Sequence, residues 1–403
     1  MDQFNVVREI RELKSQLSYA KKIGVFMGAG TSCALGLPNI AKLTNDIESA
    51  LQGDSKDAFD IVKKDLEAKA GNNSISIEDI LNQIRRIREI TSDDATRDFL
   101  KVTGAVAKKL DFEICKKIYE LIDTAEAKAD LTVPKRFFAW LSMQNRDIVT
   151  EIFTPNYDLI IEKSLESIRV PYFDGFVGSY EPFFWQESVE KTIKGNDLTS
   201  NWLRLWKIHG SLSWFWKENP VTKSHKVIRH GKITHASSPS NELVIYPSKE
   251  KYASSRRQPF IVYFDRLKNY LLSGELLFLI SGYSFLDQHI NEIIFNCMRQ
   301  NSRLHVVVFF FSDDEVVRLK PSIAGYLNIS VYGPSRAIIG GVLGKWILDD
   351  AELKIKESTD TYWKKKDDKQ SAALTLGDFN NLVNFLVANS GRSSDIEGVA
   401  NEN

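Results

Sequence analysis

The sequence predicts an α/β protein built on a doubly wound, mostly parallel sheet with a large helical insertion. Three observations carry that expectation. Short apolar runs of strand length recur along the chain, and most end in turn residues before a helical pattern. The runs are continuous rather than alternating, as expected where helices cover both faces of a strand. One long stretch between two of them is instead paced at three and four residues.

In chain order, residues 1–20 are charged and helix-like, with Arg8, Glu9, Arg11, Glu12 and Lys14. Residues 21–27 form the first expected strand, closed by Gly28-Ala29-Gly30. From about 45 to 145 apolar residues recur at helical spacing (Ile80, Ile84, Ile87, then Ile114, Ile118, Leu121, Ile122), which predicts an inserted block of amphipathic helices. Further strands are expected over 147–154, 203–208, 276–281, 304–311 and 328–332. A second insertion, roughly 182–251, is aromatic-rich, with Trp185, Trp202, Trp206, Trp214 and Trp216. The expected organisation is a sheet domain from 1–44 and 146–345, a helical insertion over 45–145, and a C-terminal segment, 346–403, that is helical and then disordered. The disorder is expected from Asn389 onward, where Ser, Gly, Asn and acidic residues dominate.

Composition narrows the function. Lys and Arg total 53 against 53 Asp and Glu, so no global field exists to hold a polyanion, and nucleic acid is not directly expected as a partner. The clusters Arg85-Arg86-Ile87-Arg88 and Lys364-Lys365-Lys366 read as solvated helix faces. The three cysteines, Cys33, Cys115 and Cys297, are scattered and form no CxxC pair, so no metal site is expected and a reducing, cytoplasmic setting is. No run reaches the roughly 18 apolar residues of a membrane span.

Four strand ends carry the residues with chemistry. Gly28-Ala29-Gly30-Thr31-Ser32 stands where a strand enters a helix, a place where glycines let backbone approach a phosphate and helix N–H groups face it. Cys33 occupies the place of the third glycine in the usual dinucleotide fingerprint, so the motif also reads as a plain structural turn. In Thr154-Pro155-Asn156-Tyr157-Asp158, Asn156 suits a water or ribose hydroxyl and Asp158 an amide NH₂, while helix capping accounts for both equally well. His209, before Gly210 at a strand end, has the side chain whose ordinary pKa suits a general base near neutrality. His225, His230, His235, His289 and His305 read as packing or surface residues. Ser281-Gly282-Tyr283-Ser284 ends another apolar run with small, hydroxyl-bearing groups.

In this order and spacing the four motifs resemble the sirtuin family over about residues 20–340. The Asn-Tyr-Asp form and the Gly-Tyr-Ser-Phe strand end are similar to the prokaryotic sirtuin-like NAD hydrolases of antiphage defence, some of which pair with HerA-type ATPases. The resemblance implies a Rossmann-like fold that takes NAD as its substrate. Gly28, Ala29, Gly30, Thr31 and Ser32 would hold the pyrophosphate. Thr154, Asn156 and Asp158 would line the nicotinamide and ribose pocket, and Ser281, Gly282 and Ser284 the adenosine half. His209 and Asn156 would be catalytic. A homo-oligomer, with a HerA-type ATPase as partner, is the assembly it implies. Deacylating sirtuins carry a four-cysteine zinc module and an acidic-aromatic-Arg stretch after the first loop; this chain has three scattered cysteines, and Asn39-Ile40-Ala41-Lys42 follows Pro38. Both departures point away from protein deacylation, and a sensor that binds NAD or ADP-ribose without cleavage is the other alternative.

Overall fold

The computed structural model describes residues 2–70, 75–144, 149–190, 202–218, 221, 225–231, 243–245, 258–348, 362–365 and 372–401. His235, Lys366 and the first residues of the 147–154 run lie outside them, as does much of the second insertion.

The chain begins with β1 (Asp2–Asn5) and α1 (Val6–Tyr19), whose N-terminal amides at Val7 and Arg8 are capped by the Asn5 side chain. Then come β2 (Ile23–Met27), wholly buried, and the single turn α2 (Ala29–Cys33). The helical block follows as α3 (Ile40–Ala50), α4 (Gly53–Ala70), α5 (Ile77–Thr91), a hairpin of β3 (Asp98–Phe99) and β4 (Val102–Thr103), and α6 (Gly104–Glu126). A reciprocal capping box between Ser76 and Asp79 starts α5. After α7 (Thr132–Ser142) the chain re-enters the sheet at β5 (Glu151–Thr154), then α8 (Ile160–Ser167) and β6 (Tyr172–Phe173).

The second insertion holds β7 (Phe176–Val177), β8 (Phe183–Phe184), the turn α9 (Gln186–Glu190), and, after β9 (Leu203–Lys207), the strands β10 (Gly210–Glu218), β11 (His225–Arg229) and β12 (Leu243–Ile245). The second half runs α10 (Phe260–Leu271), β13 (Leu276–Ser281), α11 (Gln288–Gln300), β14 (Leu304–Phe309), α12 (Asp313–Ile323), β15 (Ile329–Tyr332), β16 (Arg336–Ile339) and β17 (Val342–Ile347). It closes with the hairpin β18 (Trp363–Lys365) and β19 (Ala372–Leu374), then α13 (Phe379–Ala388) and α14 (Ser393–Ala400).

The main sheet has the order β1-β17-β16-β15-β14-β13-β2-β5-β9-β6, parallel throughout except where β16 pairs antiparallel with β15 and β17. Within it, β9-β5-β2-β13-β14-β15 has the Rossmann arrangement, in which the chain starts in the middle, winds outward one way and returns to wind the other. Alternate side chains feed two cores. Ile23, Val25, Ile152, Leu205 and Leu279 pack under α1, α7, α8 and α13, while Phe26, Phe153, Trp206, Phe278 and Ile280 pack under α10, α11 and α12. β7, β8, β10, β11 and β12 form a separate antiparallel sheet.

The helical block has its own core, with Ile47, Phe59, Ile80, Ile84, Leu110 and Ile114 among its buried residues, and this core continues onto Leu37, Ile160 and Leu212 beside the tips of β2, β5 and β9. Its limits differ from the expected 45–145. It starts at Ile40, and α7 packs instead with α8, α13 and α14 on the sheet, because Phe137, Phe138 and Trp140 bury there. The tail also departs from the expected disorder. In α14, Ile396 is buried against the α7 layer and Glu397 pairs with Arg136, so one apolar face decides its order despite a polar composition.

Candidate functional site

The four motif-bearing strands, β13, β2, β5 and β9, are consecutive neighbours in the sheet. Being parallel, they present their carboxyl ends at one edge, and the winding reverses between β2 and β13, where open α/β sheets bind their ligands.

The first two loops interlock by backbone. Gly28 N–H donates to the Ser281 carbonyl at 2.9 Å, and Gly30 N–H to the Gly282 carbonyl at 2.8 Å. A Cβ on Gly28 would fall 2.3 Å from the Gly282 oxygen, and one on Gly30 would fall 2.7 Å from the Gly282 Cα. The close approach that these glycines permit is therefore to the neighbouring loop, and those two amides are already engaged. Ala29 and Gly30 are exposed at the loop tip, and the Ser32 hydroxyl is buried.

Asn156 and Asp158 tie the loop after β5 to the loop after β2. Thr154 Oγ1 donates to the Met27 carbonyl at 2.7 Å and accepts from Asn156 N–H at 3.0 Å. Asn156 Nδ2 donates to the Gly28 carbonyl and to Ser32 Oγ, each at 3.0 Å, so its two hydrogens are used and Oδ1 is the atom left to accept. Asp158 divides its oxygens: Oδ2 accepts from the Ser32 hydroxyl at 2.7 Å, and Oδ1 accepts from Ile160 N–H at 3.2 Å at the start of α8. Capping is thus part of what Asp158 does. Burial with Asp158 nearby pushes the Cys33 thiol up from its ordinary pKa, which makes it a poor nucleophile.

His209 follows β9, whose pairing with β5 is extended by a 2.8 Å bond from Ile208 N–H to the Thr154 carbonyl, and Gly210 turns the chain at φ +94°. Its ring is buried, and Nε2 lies 3.1 Å from Asp287 Oδ2, at the N-cap of α11. Ser281 is buried at the end of β13, and its hydroxyl has no hydrogen-bond partner among the described residues. Ser284 is half-buried, and its carbonyl accepts from Arg318 at 3.0 Å.

Two buried groups of this edge are not distinguished by sequence. Lys207 Nζ donates to the Asp158 carbonyl and pairs with Glu162 at 2.8 Å, holding the loop after β5 from below. Burial raises the Glu162 pKa in spite of that lysine. Glu126, the last residue of α6, accepts from Leu159 N–H at 2.7 Å and pairs with Lys163, so the helical block is fastened to α8. Lys207 sits in an apolar run and Glu126 in a charged helix, and neither context marks it. A cavity of about 350 Å³ lies between α10 and α11, and no strand-tip residue lines it. Among the described residues no cluster of His, Cys, Asp and Glu could hold a metal ion, and no helix is long and apolar enough to cross a membrane.

Residues 150–332 match the family model described as a SIR2-like domain. That segment holds the loops after β5, β9 and β13 but begins after Gly28–Ser32. No curated protein matches the chain. A solved structure described as "Structural Basis for the Mechanism and Regulation of Sir2 Enzymes" is similar at 12% identity, covering 75% of this chain and 86% of that one, with a TM-score of 0.35.

Proposed function

We propose that this chain is an NAD glycohydrolase that cleaves the nicotinamide–ribose bond to give nicotinamide and ADP-ribose. The observation that carries the reading is the adjacency of β13, β2, β5 and β9, which gathers His209, Asn156, Ser281 and the interlocked glycine loops at the point where the winding reverses. The SIR2-like match over 150–332 supports it. The residues present fit a dinucleotide: the exposed Ala29–Gly30 tip suits the pyrophosphate, Ser284 the adenosine half, and the partnerless Ser281 hydroxyl a ligand oxygen.

Nicotinamide carries its positive charge while bound and leaves as a neutral molecule, so cleavage needs little general-acid help. The transition state has oxocarbenium character at the ribose carbon. Asn156 Oδ1 accepts from the attacking water or from a ribose hydroxyl and sets its position, since Gly28 and Ser32 fix the rest of the amide. His209 takes the proton released. Replacing His209 or Asn156 by Ala is expected to lower NAD turnover about a hundredfold or more with the circular-dichroism spectrum unchanged. Chromatography of nicotinamide and ADP-ribose measures it, and parental turnover in either variant removes the assignment. NAD that binds the parent and is never consumed would favour the sensor, and release of acetyl groups from an acetylated peptide the deacylase.

An unrestrained NADase would drain its own cell, so control comes from outside the chain or from assembly, and the proposed setting is depletion of NAD in antiphage defence. In this proposal the helical block has one of two roles, self-association into a homo-oligomer or docking of a partner such as a HerA-type ATPase ring.

A further inference from the structure

We infer that Phe311 is the stacking platform for the adenine ring of the dinucleotide. The inference rests on the proposed dinucleotide site, but binding alone reads it, without any bond being broken.

Phe311 stands in the short link between β14 and α12, and Leu286 in the link between β13 and α11. Both links leave a strand by its carboxyl end, so they lie on the edge that carries the four motifs, on neighbouring strands. There Phe311 is 72% exposed and Leu286 69%. Neither can retreat into the core, since the residue before each already fills it: Phe285 and Phe310 are buried, with ring centroids 5.9 Å apart. Phe310 N–H donates to the Tyr332 carbonyl at 2.8 Å, and a Cβ on Gly377 would fall 2.8 Å from the Phe311 nitrogen, so the loop before α13 closes on that peptide. Arg318, on α12, donates to the Ser284 carbonyl at 3.0 Å and ties the two links together. A flat apolar ring is thus held in water on a fixed tip, with a second large apolar side chain on the next tip.

Position selects the occupant. Asn156 follows β5, the Ala29–Gly30 tip follows β2, and Phe311 follows β14, with β13 between the last two. From β5 to β14 is three strand spacings, roughly 14 Å, which suits a dinucleotide laid out along the edge with its pyrophosphate over the glycine tip. With the nicotinamide ribose at Asn156, the far end of the molecule, an adenine ring, comes to Phe311. Adenine offers a flat π face and polar edges, so it takes one exposed ring and leaves its edges in water.

Calorimetry of ADP-ribose binding to the full chain tests this. Phe311→Ala should weaken binding about tenfold, whereas Phe311→Trp, which restores a flat ring, should stay within about threefold of the parent. Phe311→Leu separates stacking from apolar contact and should be as weak as the alanine variant. Melting temperatures should match the parent, because so exposed a ring contributes little to folding. NAD turnover in Phe311→Ala should show KM raised about tenfold with kcat within about twofold, since the ring binds the substrate far from the bond that breaks. An alanine or leucine variant with the parent's affinity, or a tryptophan variant as weak as the alanine one, overturns the inference, as does a parent that binds no ADP-ribose. If the parent binds ADP-ribose and consumes no NAD, the glycohydrolase reading fails by itself, and the calorimetry still decides the role of Phe311.

Discussion

At Gly282 the backbone has φ +67°, and a Cβ there would lie 2.4 Å from the Thr31 amide nitrogen. Gly36 also has positive φ, at +89°, but a Cβ would meet nothing within 4 Å. The pair separates strain from collision. Gly36→Ala is expected to cost about 1 kcal/mol, from the backbone alone. Gly282→Ala adds a clash between two backbones that have no side chain to swing away, so it should cost about 2 kcal/mol or more and lower NAD turnover as the loops part. Denaturant melts of the two variants test this, and equal losses would mean that the loop-to-loop packing matters little. The sequence shows that Gly28, Gly30 and Gly282 end strands, but not that they exist for one another. Spacing along one chain carries no information about which two strand ends touch. His209 and Asn156 are visible because they stand in short strand-end motifs whose order resembles the sirtuin family; Asp287 reads as the start of a helix, which it also is.

Among the elements, α14 shows how composition and order separate. Ser, Gly and acidic residues dominate the segment after Asn389, yet Ile396 and Ala400 fall four apart on one face and bury against the α7 layer. Truncation after Ala388 should therefore cost about 2 kcal/mol in stability, from lost apolar burial and the Arg136–Glu397 pair, and should open α7 to proteolysis. Unchanged melting of the truncated chain would return the tail to a passive role. The same physics explains α7, which sequence spacing groups with the helical block and apolar burial assigns to the sheet. Periodicity reports that a helix has a sticky face; it does not report which partner covers it. β1 is hidden for a different reason. Four residues that end in an N-cap have too little pattern of their own, and they are strand only because β17 offers an open edge.

For the whole molecule, the helical block matters through its place over the tips of β2 and β5 and through what it leaves outside. Ile90 and Phe112 are 49% exposed on α5 and α6, in a block that is otherwise well packed. If that surface joins subunits, light scattering should give the parent a multiple of the chain mass, and Ile90→Asp with Phe112→Asp should reduce it to the chain mass while the melting temperature holds. A parent already at the chain mass would remove the assembly role.

What the sequence by itself determined is local: apolar strands, helices at their 3.6-residue period, the class of fold, and which residues with usable chemistry stand at strand ends. Only the tertiary structure decided that four of those ends are neighbours, that the glycine loops lock together, that Asp287 Oδ2 lies 3.1 Å from His209 Nε2, and which core α7 and α14 join. The physical reason is that strand and helix formation depend on residues a few positions apart, whereas burial and hydrogen bonding across a sheet join residues such as Gly28 and Ser281 that no local pattern can pair.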